Sequence, residues 1–233
     1  MEFLILAVGN ELLSGDTIDT NSQWIAKKLT QNGHKVRRMV TVGDVKEDIV
    51  REIRNSREDF IIVTGGLGTT PDDLTREAIA EALKKPLIEF REVKRMLSQY
   101  RIDDEIRERM SLLPEGSEPV PNNEGVAPGF IVENILVMPG VPKEMMDIFN
   151  KVIGRFGSES YWEEWIETHK KEVDITPLLE KAVNKFPSIR IGSYPQKTEK
   201  NGKVEFKVRI KISGKDIEMV KEVREFIERG LSS

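Results

Sequence analysis

The apolar positions of the first 150 residues alternate between short continuous runs and segments of helical period. Phe3 to Val8 is a nearly unbroken apolar run, the pattern of a strand covered on both faces in a parallel sheet. A polar loop from Gly9 to Asn21 follows, and Trp24, Ile25 and Leu29 then mark a helix ending near Gly33. Lys35 to Val42 reads as a second strand. Ile49 and Ile53, four apart, give a second helix, whose start carries Asp44 and Glu47 at capping-box spacing. Residues 60 to 85 supply a third strand, a glycine-rich loop and a third helix. Val93, Met96, Leu97 and Tyr100 make Arg91 to Met110 helix-like, whereas Pro114 to Pro128 is irregular by composition. Phe130 to Val132 and Ile135 to Met138 flank Glu133-Asn134 as two strands about a short turn. Pro142 then opens a helix bearing Met146, Phe149, Ile153 and Phe156.

After Ser160 the pattern changes. Trp165 to Val173 and Ile189 to Tyr194 read as strands on either side of a helix that starts at Thr176-Pro177. Val204 to Ile212 alternates apolar with charged residues, and Lys215 to Arg229 is an amphipathic helix stopped by Gly230. This order predicts a small α+β domain over residues 160–233, with one solvated sheet face, after a first domain of residues 1–157. Lys207, Arg209 and Lys211 form a basic stripe on that face. With no GXXG loop after residue 160, the stripe reads as solvated surface rather than an RNA site.

Composition narrows the chemistry. The chain has 233 residues, no cysteine, two histidines and a net charge of -4. Disulfides and thiolate chemistry are excluded, and the absence of cysteine fits a cytoplasmic setting. His34 and His169 lie far apart, so a histidine zinc site or a Ser-His triad is a poor expectation, and any metal would sit on carboxylates, as magnesium or manganese do. No apolar run approaches the roughly 20 residues of a membrane span, so no membrane partner is expected. Nor does the net charge attract nucleic acid.

The stretch Asp59 to Ala78 carries most of the chemistry. A strand runs into Gly65, Gly66 and Gly68, then Thr69, Thr70, Asp72 and Asp73, then a helix. Glycines allow close approach of backbone to ligand, and free N-H groups at a helix start attract an anion, so phosphate is the natural guest. The run is neither a Walker loop nor a G-x-G-x-x-G fingerprint. Glu11 and Asp44 each follow a strand, at the rim where α/β sheets bind ligands. Each also has a plainer reading, Glu11 as a solvated loop acid and Asp44 as a helix cap. Arg91, Arg95, Arg101, Arg107 and Arg109 read as a solvated face, from which one or two could reach phosphates.

The run Thr64-Gly-Gly-Leu-Gly-Thr-Thr-Pro-Asp-Asp73-Leu-Thr75-Arg-Glu-Ala78 resembles the signature loop of the MoaB/Mog molybdopterin-binding domain, in the version at the N-terminus of CinA proteins. Gly9 to Gly15 with Asp19-Thr-Asn21, Asn123 to Phe130, and Pro139 to Met145 agree with that family in the same order; Thr69 stands where it usually has proline. The resemblance implies an α/β fold: a three-layer MoaB/Mog-like domain with a mostly parallel sheet, then a small KH-like α+β domain. It also implies a functional aspartate at position 44, Asn123 in the site wall and a homo-oligomer of two or three chains. Full-length CinA proteins add a C-terminal amidohydrolase domain, which a chain ending at Ser233 is not expected to carry.

These elements predict a metal-dependent nucleotide pyrophosphatase, a hydrolase of small-molecule nucleotides, and the resemblance to CinA proteins implies ADP-ribose and similar dinucleotides as its substrates. Asp73 and Asp44 would hold a divalent cation, with Glu11 as a further catalytic acid. Gly65, Gly66, Gly68, Thr69, Thr75, Asn123, Gly140 and Pro142 would bind phosphate and nucleotide. Two alternatives stand beside this reading: molybdopterin binding or adenylylation, and nucleotide binding without turnover.

Overall fold

The computed structural model describes residues 1–200 and 203–232. It divides into two compact units, residues 1–30 with 34–158, and residues 31–33 with 159–233.

In the first unit, β1 (Glu2–Val8) pairs in parallel with β2 (Lys35–Val42) and β3 (Phe60–Thr64). Alternation along β1 divides its side chains between two cores. Leu4, Leu6 and Val8 join Ile49, Val50 and Ile53 of α3 (Lys46–Arg54) and Ala78 and Ile79 of α4 (Thr75–Leu83). Phe3 and Ile5 join Ile25 and Leu29 of α2 (Thr20–Gln31) and Ile148, Phe149 and Val152 of α7 (Pro142–Val152). Helices therefore cover both faces, which is why β1 shows an unbroken apolar run. The sheet order is β2-β1-β3-β8-β7-β6. It is parallel as far as β8 (Ile135–Met138) and antiparallel through β7 (Gly129–Val132) and β6 (Glu118–Val120). Only a short α1 (Asn10–Ser14) interrupts the loop after β1.

Three local expectations are corrected. The segment Arg91 to Met110 is two helices, α5 (Arg91–Leu97) and α6 (Asp104–Ser111). Between them the Tyr100 hydroxyl donates to the Gly125 carbonyl at 2.9 Å, which ties the connecting segment to the loop before β7. Part of the irregular segment forms β5 (Leu112–Pro114), paired with β4 (Leu87–Glu89), and β6. No capping box forms at Asp44: α3 begins after Val45, without a side-chain cap.

The second unit orders β9 (Trp162–Thr168), α8 (Glu172–Lys185), β10 (Arg190–Lys200), β11 (Lys203–Gly214) and α9 (Ile217–Ser232), with an antiparallel sheet β10-β11-β9. Its first strand ends earlier than expected because Glu172 and Val173 already belong to α8, and Pro177 lies inside that helix. Gly230 does not stop α9. Leu178 of α8 occupies the space a Cβ would need there, so this glycine serves helix packing. The basic stripe is paired rather than bare. Lys207 and Arg209 share Glu167 at 3.1 Å each, Lys211 pairs with Glu163, and the Arg209 guanidinium lies 4.3 Å from the Trp165 ring centroid.

One ion pair should govern acid tolerance. Glu58, with 4% of its side chain exposed, accepts from Arg38 Nε at 2.8 Å, Ser56 Oγ at 2.8 Å and the Arg57 N-H at 3.0 Å. Arg38, above all, holds its carboxyl below the ordinary value of 4.5, at about 2. A depressed carboxyl stabilises the fold fully above about pH 4.5, and that contribution fades as pH falls through about 2. Glu58→Gln should cost roughly 2–3 kcal/mol at pH 7, after a discount for the half-exposed Arg38, and that cost should shrink to a small remainder by about pH 2. Urea melts of both proteins across that range measure the difference.

Candidate functional site

The C-terminal ends of β1, β2, β3 and β8 open onto one rim, and their loops line a cleft of about 530 Å³. Rims of this kind are where parallel sheets bind ligands, because the loops leave there.

The loop after β3 is held open from below. Gly65 and Gly66 have φ of 106° and 65°, the left-handed range that favours glycine. Thr75, fully buried, donates its hydroxyl to the Gly65 carbonyl at 2.9 Å and its N-H to the Gly66 carbonyl at 3.2 Å. Asp73 accepts the Gly68 N-H at 2.7 Å on one oxygen, and the Thr70 N-H at 2.8 Å plus the Thr70 hydroxyl on the other. Among the described residues those bonds leave the N-H groups of Gly66, Leu67 and Thr69 without a partner, and all three residues line the cleft. Two arginines brace the loop. Arg109 of α6 donates to the Thr69 carbonyl, and Arg76 donates to the Leu67 carbonyl. Arg76 is 2% exposed and forms no salt bridge among the described residues. Burial lowers its guanidinium to about 10, so it stays charged at neutral pH and places positive potential beneath the loop.

Asp44 accepts the Asn10 N-H at 2.8 Å, and Asn10 Oδ1 accepts the Asp44 N-H at 3.2 Å, so the loops after β1 and β2 are clipped together. Asn21 performs a similar service across the rim. Its Nδ2 donates to the Gly140 carbonyl at 2.7 Å and to Thr64 Oγ1 at 3.3 Å, and Thr64 donates in turn to the Pro139 carbonyl at 3.0 Å.

Of the residues singled out from the sequence, Glu11, Asp44, Gly65, Gly66, Gly68, Thr69, Asp73 and Gly140 line this one cleft. Pro142 lines a side pocket of about 80 Å³ that shares Val8, Glu11 and Gly140 with it. Thr75 lies beneath the loop and shapes it. Asn123 is exposed and outside the lining, its N-H bonded to Asp147. The neighbouring Asn122 organises that segment, and Glu144, which it holds, lines the cleft. Asn122, Glu144, Arg76 and Asn21 escaped the sequence reading, and Arg109, read there within a solvated arginine face, bonds the loop carbonyl of Thr69. Arg76, Asn21 and Glu144 lie inside the motifs quoted above, which was the one signal available.

Residues 4–157 match the family model described as "Probable molybdopterin binding domain", and residues 161–233 match that of "FAD synthase, middle domain". A protein of Archaeoglobus fulgidus is 46% identical over 231 residues, covering 98% of this chain and 97% of its own. Another, of Pyrococcus abyssi, is 35% identical and covers 100% of this chain and 98% of its own. Among solved structures, that of the CinA protein of Thermoplasma acidophilum, described as of unknown function, is 30% identical. It superposes with a TM-score of 0.63, covering 66% of this chain and 96% of its own.

These findings correct the expected activity. The family model matched is described as a probable molybdopterin binding domain and not as a hydrolase, so neither a metal-dependent nucleotide pyrophosphatase nor action on ADP-ribose-like dinucleotides is supported. The physical reason lies in the carboxylates. Asp73 and Asp44 are engaged by loop N-H groups, and among the described residues no three His, Cys, Asp or Glu side chains gather into a group able to hold a metal ion. With that model spanning residues 4–157 and near full-length relatives beside it, the chain belongs to the family of the molybdopterin-binding domain, and its first unit resembles the CinA-type version.

Proposed function

We propose that the cleft binds a phosphorylated pterin of the molybdopterin class and presents its phosphate for adenylyl transfer. The observation that carries this reading is the glycine loop: three residues of it line the cleft with N-H groups that have no partner among the described residues, and the buried Arg76 is bonded to the same loop. Hydrogen bonds from such donors to a charged phosphate are each worth roughly 1.5–3 kcal/mol. In the reaction, an oxygen of the pterin phosphate attacks the α-phosphorus of ATP. A new P-O-P bond forms, the α-β bond breaks and pyrophosphate leaves. This chain's part is to hold both phosphates in place and to spread their charge over the loop N-H groups.

Glu11 and Asp44 line the same cleft and repel phosphate, which favours a companion cation. Asp73 has already accepted three hydrogen bonds, and Asp44 keeps one oxygen free. Among the described residues no protein group holds a metal by itself, so a magnesium or manganese ion would be ligated chiefly by phosphate and water with Asp44 as its protein ligand, and would neutralise phosphate charge. We further propose a homo-oligomer, dimer or trimer, in a cytoplasmic setting. Met39 on the edge strand β2 is 52% exposed, and among the described residues no helix is long and apolar enough to cross a membrane.

The test is calorimetry of the purified chain with a pterin monophosphate, with and without magnesium, followed by ATP and detection of adenylylated pterin and pyrophosphate. Binding that strengthens with magnesium is the expected result, and light scattering reads the oligomer. Absence of pterin binding overturns the proposal, and nucleotide binding without turnover would point to a binding module.

A further inference from the structure

The cleft has a second wall that the phosphate chemistry does not use. Val126, Ala127, Val141 and Glu144 line it, from the segment before β7 and the start of α7. Glu144 is thus a carboxylate among apolar neighbours.

Its position is built. Asn122 Nδ2 donates to Glu144 Oε2 at 2.6 Å and to the Ala127 carbonyl at 2.9 Å, while Asn122 Oδ1 accepts the N-H groups of Glu124 at 2.9 Å and Gly125 at 3.1 Å. All four hydrogen-bonding positions of that amide are spent, so its orientation is settled by its partners. The carboxylate lies where a Cβ on Gly125 would stand, and the missing side chain is what admits it. Glu144 Oε1 has no partner among the described residues and is not sealed from solvent. Burial raises the carboxyl's pKa, against the pull of Asn122, as expected of an acid with an acceptor unspent.

We propose that Glu144 recognises the ring of the ligand, its carboxylate accepting the paired ring N-H and amino hydrogens of a 2-amino-4-oxo pyrimidine edge. This rests on the pterin reading above and adds to it a residue that sets specificity. Oε1 and the remaining lone pair of Oε2 match the two parallel donors, and Val126 and Val141 offer apolar surface to the ring face. Adenine has no such donor pair, so the same wall rejects it by leaving Oε1 unpaired.

The experiment compares a 6-hydroxymethylpterin phosphate with its counterpart bearing oxygen in place of the 2-amino group, on the parent and on Glu144→Gln. Inorganic pyrophosphate serves as a probe of the glycine loop alone. The parent should favour the pterin at least about tenfold, equivalent to about 1.4 kcal/mol. E144Q, which sets an amide donor against the ring donors, should lose that preference while still binding pyrophosphate, at least as tightly as the parent because a negative charge has left the cleft. If E144Q melts early, Glu144→Asp withdraws the carboxylate by one methylene and should weaken the same preference. An undiminished preference in these variants, or equal binding of both rings by the parent, overturns the role of Glu144 and leaves pterin binding standing. A parent that binds pyrophosphate and neither ring overturns both.

Discussion

Gly65→Ala is expected to lose about 2–5 kcal/mol of stability, combining a strained backbone with overpacking, and to abolish phosphate binding. At φ 106° an L side chain is strained before any contact is considered. The added Cβ would also fall inside the van der Waals surface of the Val8 carbonyl oxygen at the end of β1. Neither neighbour can yield cheaply, because Val8 is strand backbone and the Gly65 N-H is bonded to the Met138 carbonyl at 3.0 Å. Against a total folding stability of roughly 5–15 kcal/mol, this is a large fraction. Thermal and urea melts, with pyrophosphate calorimetry on whatever fraction remains folded, measure it. A variant that melts and binds like the parent would mean the loop does not take this backbone path.

Asp73→Ala should do the opposite: weaken phosphate binding about tenfold to a hundredfold while changing global stability by no more than about 1–2 kcal/mol. Asp73 orders a loop whose tip, Thr69 to Asp72, is exposed and contributes little to the core. Without the carboxylate, the N-H groups of Gly68 and Thr70 turn to water and the unspent N-H groups lose their common direction. Removing a negative charge beside phosphate works the other way, by about 1 kcal/mol per pair near 4 Å in water. The bonds to a charged acceptor, roughly 1.5–3 kcal/mol each, outweigh that. Hydrogen exchange at residues 68–72 should accelerate in step with the lost affinity. Parent-like affinity would show that the loop orders itself.

Local pattern alone determined the strands of the first unit, because a strand buried on both faces must be apolar throughout and one at an edge must alternate. Phe3 to Val8, Lys35 to Val42 and the hairpin about Glu133-Asn134 were therefore legible, as was the glycine loop, since only glycine supplies that backbone freedom. The family motifs carried the mostly parallel three-layer fold.

What the tertiary structure decided are the properties that depend on a partner distant in sequence. Asp44 has the spacing of a helix cap, yet its hydrogen bond runs to Asn10, 34 residues away. Helical period continues through Tyr100, but the helix ends at Leu97 and Tyr100 bonds to the Gly125 carbonyl, 25 residues away. Gly230 looks like a stop signal until Leu178 packs onto it, and the Lys207-Arg209-Lys211 stripe looks bare until β9 brings Glu163 and Glu167 alongside. Arg76 and Glu144 are charged residues of the ordinary surface kind by composition. Only packing made one a buried cation under the phosphate loop and the other a half-buried acid in the cleft, because burial and field are set by neighbours that the chain order does not name.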